Sequence, residues 1–118
     1  MTAKNMQHTI CKEISYSGIG LHSGKDVLMT FKPAPVNTGV VYVRTDLPGH
    51  PEIKALPENV SSTIKATTLS ANGAEVFTVE HLMAALAVMQ IDNLIVEINS
   101  PEMPIMDGSS AIFFSELQ

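Results

Sequence analysis

Apolar and polar residues alternate most cleanly between Lys25 and Lys32, with Val27, Met29 and Phe31 on one side and Asp26, Leu28 and Thr30 on the other. A period of two is that of a half-buried strand. Pro33 and Pro35 end it, because proline cannot donate to a ladder. Gln7 to Ile14 reads as an earlier strand. Gly39 to Thr45 (GVVYVRT), β-branched and aromatic, reads as a later one after the turn Asn37-Thr-Gly39. Tyr16 to Gly24 (YSGIGLHSG) reads as a glycine-rich turn. Asp46 to Val60 holds three prolines and a glycine and keeps little period, which predicts a long loop or a small insertion with one short strand near Glu52 to Ala55. Thr63 to Ser70 and Glu75 to Phe77 flank Ala71-Asn-Gly-Ala74, and Asn-Gly between strand-like runs is a strong hairpin signal.

The period changes at Val79. Leu82, Ala85, Leu86 and Met89 follow the i, i+3, i+4, i+7 spacing of one helical face. Thr78 is the expected N-cap, and Glu80 falls in the first turn, where the helix dipole favours negative charge. Leu94 to Asn99 is strand-like again. Pro101 to Pro104 reads as a loop, Asp107-Gly-Ser109 as a turn or cap, and Ala111 to Gln118 as the start of a second helix. This order predicts an α+β two-layer sandwich: a mostly antiparallel sheet with two helices on one face, in a single domain over 1–118.

Composition narrows the function classes. Of 118 residues, 45% are hydrophobic and 16% charged, a globular balance that argues against disorder. The net charge of −5, with no basic cluster, argues against a nucleic-acid partner. Cys11 is the one cysteine, so no intrachain disulfide can form and a reducing cytoplasm fits. Met1 to Gln7 lacks the apolar core of a secretory signal. The longest apolar run, Leu82 to Met89, falls well short of the roughly 20 residues of a membrane span.

Few residues suggest chemistry on their own. Gly18, Gly20 and Gly24 are spaced GxGxxxG rather than GxGxxG and lead into a strand, so a tight turn explains them better than a dinucleotide site. His22, inside that bend, has no evident packing role, although most loop histidines are simply solvated. Glu80 and His81 are adjacent at a helix start. They diverge by about 100° around the axis, yet at a helix end they can enter one cleft from adjoining sides. Imidazole is a common zinc ligand, and a carboxylate next to activated water is a usual general base. Against this, the pair lacks the HExxH spacing, and a solvated first turn is the commoner role of such a pair. Asp107 fits an Asx turn or a cap. Cys11, placed mid-strand with no activating neighbour, reads as structural, and the seven methionines read as core filler or as lining for an apolar groove.

Five segments taken in order carry a resemblance: GIGLHSGK (Gly18 to Lys25), FKPAPVNTGVVYVRTDLP (Phe31 to Pro48), TVEHLMAALA (Thr78 to Ala87), IDNLIVEIN (Ile91 to Asn99) and PEMPIMDGS (Pro101 to Ser109). Together they resemble the amino-terminal domain of the zinc-dependent UDP-3-O-acyl-N-acetylglucosamine deacetylases of Gram-negative lipid A biosynthesis, from about Gln7 to the end of the chain. The resemblance implies one half of a two-domain enzyme, with the second domain absent and the chain stopping inside a helix. It implies that His81 is a zinc ligand, that Glu80 is the general base, and that Leu21 and His22 lie at the cleft edge. It also implies that Ile64 lies near an acyl passage. The cofactor implied is Zn2+, with its other ligands outside this chain. The partners implied are a sugar-nucleotide substrate bearing a fatty acyl chain and the chain's own missing C-terminal domain. The fragment by itself is expected to be inactive and to associate with copies of itself through an uncovered helix face. A non-catalytic α+β interaction or binding domain, with Glu80 and His81 at the surface, is the alternative.

Overall fold

A computed structural model describes residues 7–20, 24–63 and 67–104. Among these residues, eight strands and one α-helix run in the order β1 (Ile14–Ile19), β2 (Asp26–Pro33), β3 (Val40–Arg44), β4 (Glu52–Lys54), β5 (Val60–Ser62), β6 (Thr68–Ala71), β7 (Ala74–Phe77), α1 (Glu80–Val88) and β8 (Leu94–Ile98), with a 3-10 turn at Pro57–Asn59. The class is α+β with mostly antiparallel strands. The expected second helix, at Ala111 to Gln118, and the turn at Asp107 to Ser109 lie outside the described residues.

The strands form two open sheets, not one. The larger has the order β1-β2-β8-β3-β4 and the smaller β5-β6-β7. Every pairing is antiparallel except β3 with β8, where Val40 to Arg44 run parallel to Leu94 to Ile98. β2 keeps its expected alternation: Val27, Met29 and Phe31 are buried and Leu28 is exposed. The inner residues of β2, β3 and β8 meet Leu82, Ala85 and Leu86 of α1 in one core, so the helix phase read from sequence is the observed one. Tyr42 is fully buried there, and its hydroxyl donates to Met83 Sδ at 3.3 Å. The outer face of the large sheet is mixed: Lys32 pairs with Glu97 at 3.0 Å and Ser15 bonds Thr30 at 3.0 Å, while Ile19 and Leu28 are exposed.

Three expectations need correction. The first strand is Ile14–Ile19, and Gln7 to Thr9 are irregular. Tyr16 to Ile19 are therefore strand, and only the stretch from Gly20 onward turns. The residues before Ile14 are held outside any ladder: Gln7 bonds Asn37 and Asn93, the His8 N–H donates to the Asp92 carboxylate at 2.8 Å, and the His8 carbonyl accepts from the Asp92 and Asn93 amides at 2.9 and 3.1 Å. Cys11 accordingly sits in an exposed bend, not mid-strand. Within Asp46 to Val60, by contrast, the short strand expected near Glu52 to Ala55 is observed as β4, and the 3-10 turn then leads into β5, which opens the small sheet.

Arg44 joins the two sheets. Its guanidinium forks onto Asp46 at 2.9 and 2.8 Å and donates to the Glu75 carbonyl on β7 at 2.8 Å. The Asn72-Gly73 hairpin turn has φ of 54° and 78° at its two residues, as a type I′ turn requires, and Asn72 Nδ2 donates to the Glu52 carbonyl on β4.

Candidate active site

The corner between β7 and α1 builds the candidate site. Strand β7 ends at Phe77, whose N–H donates to the Pro101 carbonyl at 2.8 Å and whose carbonyl accepts from Met103 N–H at 3.3 Å. Residues 101–104 thus form a strip beside the strand end, with Phe77 and Glu102 bridged in parallel and Pro104 bridged to Gly20. Gly20 closes the adjoining loop: its N–H donates to the Lys25 carbonyl at 2.9 Å, and its carbonyl accepts from Gly24 at 3.0 Å. Gly24, at φ +68°, takes the left-handed conformation that glycine reaches without strain.

The chain then turns sharply. Thr78 has φ +66° and is not the expected N-cap; the cap position belongs to Val79, which makes no side-chain cap bond. A left-handed Thr78 cannot aim its hydroxyl at the first helical amides. Its Oγ1 is instead the one buried side-chain oxygen or nitrogen among the described residues without a hydrogen-bond partner. Val79 is buried at 1% exposure and anchors the corner in the core. Glu80 is the first residue of α1 and is exposed. One of its carboxylate oxygens lies 3.4 Å from the Thr67 amide, while the Thr67 carbonyl accepts from Thr78 N–H at 2.9 Å. A single peptide segment at the start of β6 therefore touches both the corner and the carboxylate.

Glu80 is thus exposed at a helix start, the position that the helical spacing predicts for it. His81 is the second residue of α1, with its side chain outside the described part. Leu21, His22 and Ile64 also lie outside the described residues. Their described neighbours, Gly20 and Gly24 on one side and Thr67 on the other, are bonded into the Pro101–Pro104 strip and the β7–α1 corner respectively. Sequence reading missed Thr67 and took Thr78 for the N-cap. Thr67 acts through its backbone, which carries no residue signature, and a left-handed threonine contradicts the preference of its type.

Chemically, the corner presents an exposed carboxylate, a group able to accept a proton, at a helix start. Among the described residues, no three His, Cys, Asp or Glu side chains stand close enough together to hold a metal. The other described histidines are committed elsewhere or remote in the chain: His8 pairs with Asp92 at 3.6 Å, and His50 lies in the β3–β4 connection. These residues alone do not make a zinc site. No helix among the described residues is long and apolar enough to cross a membrane.

An α+β fold with an exposed carboxylate at a helix start defines no family by itself, and comparison with known proteins supplies one. Residues 7–118 match the LpxC family, UDP-3-O-acyl N-acetylglycosamine deacetylase, and the chain belongs to that family. It is 55% identical over 112 residues to the UDP-3-O-acyl-N-acetylglucosamine deacetylase of Myxococcus xanthus, covering 95% of this chain and 36% of that protein. It is 50% identical over 113 residues to the enzyme of the same name from Tolumonas auensis, covering 95% of this chain and 37% of that protein. It is 49% identical over 111 residues to the bifunctional enzyme LpxC/FabZ of Chlorobaculum tepidum, covering 94% of this chain and 24% of that protein. The chain spans a little over a third of the length of the deacetylases it matches.

Proposed function

We propose that this chain is the amino-terminal part of a zinc-dependent deacetylase that removes the N-acetyl group of UDP-3-O-acyl-N-acetylglucosamine in lipid A biosynthesis in the cytoplasm. The observation that carries the proposal is the β7–α1 corner, where Glu80 stands exposed at the helix start beside Thr67. The names of the relatives support the substrate class. Acetamides are poor electrophiles, and zinc supplies the Lewis acidity that polarises a carbonyl and acidifies water. His81 would be one ligand, with the others contributed by the second domain. Glu80 would take the proton from the attacking water and help pass it to the departing amine, leaving acetate and a free 2-amino sugar. Leu21 and His22 would line the cleft edge, and Ile64 would lie near the passage for the fatty acyl chain.

By itself the chain offers one candidate ligand, whereas stable zinc sites use three or more. The isolated 118-residue chain is therefore expected to bind zinc weakly and to release no acetate, behaving as the non-catalytic interaction domain of the alternative reading. The test is acetate release from the sugar nucleotide with added zinc, comparing this chain, the full-length enzyme and its Glu80→Ala and His81→Ala variants. Full-length enzyme should turn over, and each substitution should remove at least about two orders of magnitude of rate. Robust turnover by the purified short chain, or by the Glu80→Ala enzyme, would refute the proposal.

A further inference from the structure

Residues 7–10 belong to no strand, yet they fasten three separate places: Ala34 after β2, Asn37 in the turn before β3, and Asp92 with Asn93 before β8. The fasteners share atoms. Gln7 Oε1 accepts from both the Asn37 amide at 2.7 Å and Asn93 Nδ2 at 2.8 Å. The His8 carbonyl accepts from both the Asp92 and Asn93 amides, and Thr9 Oγ1 accepts from the Ala34 amide at 3.1 Å. Asn93 is 2% exposed, and its Oδ1 takes the Gly39 amide at 2.8 Å, at the entry to the parallel pair of β3 and β8. Were Gln7 to leave, Asn93 Nδ2 would lose that acceptor in a buried setting, and an unmet buried donor is costlier than the loss of an exposed bond. No one of these bonds is therefore given up without weakening the others. Little else holds the segment. Gln7, His8 and Thr9 are exposed, Ile10 is its one residue in the core, and the exposed run Cys11 to Glu13 links it to β1. Segments with exposed bonds and few buried apolar contacts open at lower free energy than the core beneath them. We propose that residues 7–10 are a conformational clasp, with Asn93 as its catch, that opens and closes as one unit while both sheets stay folded. Opening releases the turn after α1 together with the entry to the parallel pair.

The amides of Ala34, Asn37, Gly39, Asp92 and Asn93 all donate to the clasp or to its catch. Native-state hydrogen exchange of this 118-residue chain, corrected for intrinsic rates, should give them one shared opening equilibrium that hardly changes in low urea. The Val96 amide, on the central strand of the large sheet, should exchange more slowly and with the steep urea dependence of global unfolding. Thr9→Val, at an exposed position, removes the acceptor of the Ala34 amide. It should nevertheless quicken exchange at Gly39, Asp92 and Asn93 by a common factor of about three to ten. Gln7→Ala reads the same unit from its other side and should quicken Ala34, whose acceptor is Thr9. Quickening confined to Ala34 in Thr9→Val, or absent from Ala34 in Gln7→Ala, would mean independent bonds and overturn the proposal. So would a urea dependence at these amides as steep as that of Val96, since the segment would then open only with the whole fold. Should either variant fail to fold, the other and the urea series on the unaltered chain decide by the same criteria.

Discussion

At the scale of single residues, the Arg44–Asp46 fork is the most exacting contact. The Arg44 side chain is 6% exposed, so its charge depends on the carboxylate and the Glu75 carbonyl around it. The hydrogen bonds from Arg44 hold the Asp46 carboxyl below its ordinary value of 3.8. A carboxyl lowered in the fold contributes its stability in full above the unfolded value and loses it as pH falls through the folded one. Urea resistance should therefore drop below roughly pH 4, and Asp46→Asn should show a flatter acid dependence. At neutral pH, Asp46→Ala leaves the guanidinium buried without its partner and should cost about 2–3 kcal/mol, read from the urea midpoint.

Among the elements, α1 and the β6–β7 hairpin are held by different physics. The helix is short, has no side-chain cap and carries one acidic residue in its first turn, so packing and not propensity keeps it formed. Leu86, 2% exposed within the core cluster, should cost about 3 kcal/mol on truncation to alanine, measured by urea unfolding. The hairpin depends on backbone conformation. A Cβ on Gly73 would meet nothing within 4 Å, so the penalty of Gly73→Ala comes from φ +78° alone. That penalty should be about 1–2 kcal/mol, with the Asn72 bond to Glu52 making loss of register visible as faster exchange on β4.

Across the whole molecule, the outer side of α1 beyond Glu80 is apolar and, among the described residues, uncovered: Ala84, Ala87 and Val88 are exposed, Val88 at 72%. The inner side is spent on the sheet. Contiguous apolar surface of this kind promotes association, so the chain should run as a dimer or larger species in light scattering at high concentration. Val88→Glu should shift it toward monomer without lowering its melting temperature, since Val88 contributes nothing to the core. A parent chain that stays monomeric at the same concentration would count against this.

Sequence alone determined the features that live within one element. The period of two placed Val27, Met29 and Phe31 inward, the helical spacing placed Leu82, Ala85 and Leu86 inward, and Asn72-Gly73 marked its own turn. The ordered motifs pointed to the family that the match over 7–118 bears out. Tertiary structure decided what depends on partners far along the chain. Ile14–Ile19, with two serines and a glycine, has weak strand character, and pairing with β2 makes it a strand. Val40 to Arg44 lie parallel to Leu94 to Ile98 because each needs the other's backbone groups, and no local pattern encodes that register. The small sheet closes as a separate unit, tied to the large one through Arg44. Thr78 shows the limit most sharply. Its residue type argues for a cap, but the bonds of Phe77 to Pro101 and of Thr78 to Thr67 bend the chain the other way. Periodicity reports which side of an element is buried, whereas corners and strand neighbours are set by hydrogen bonds between distant residues.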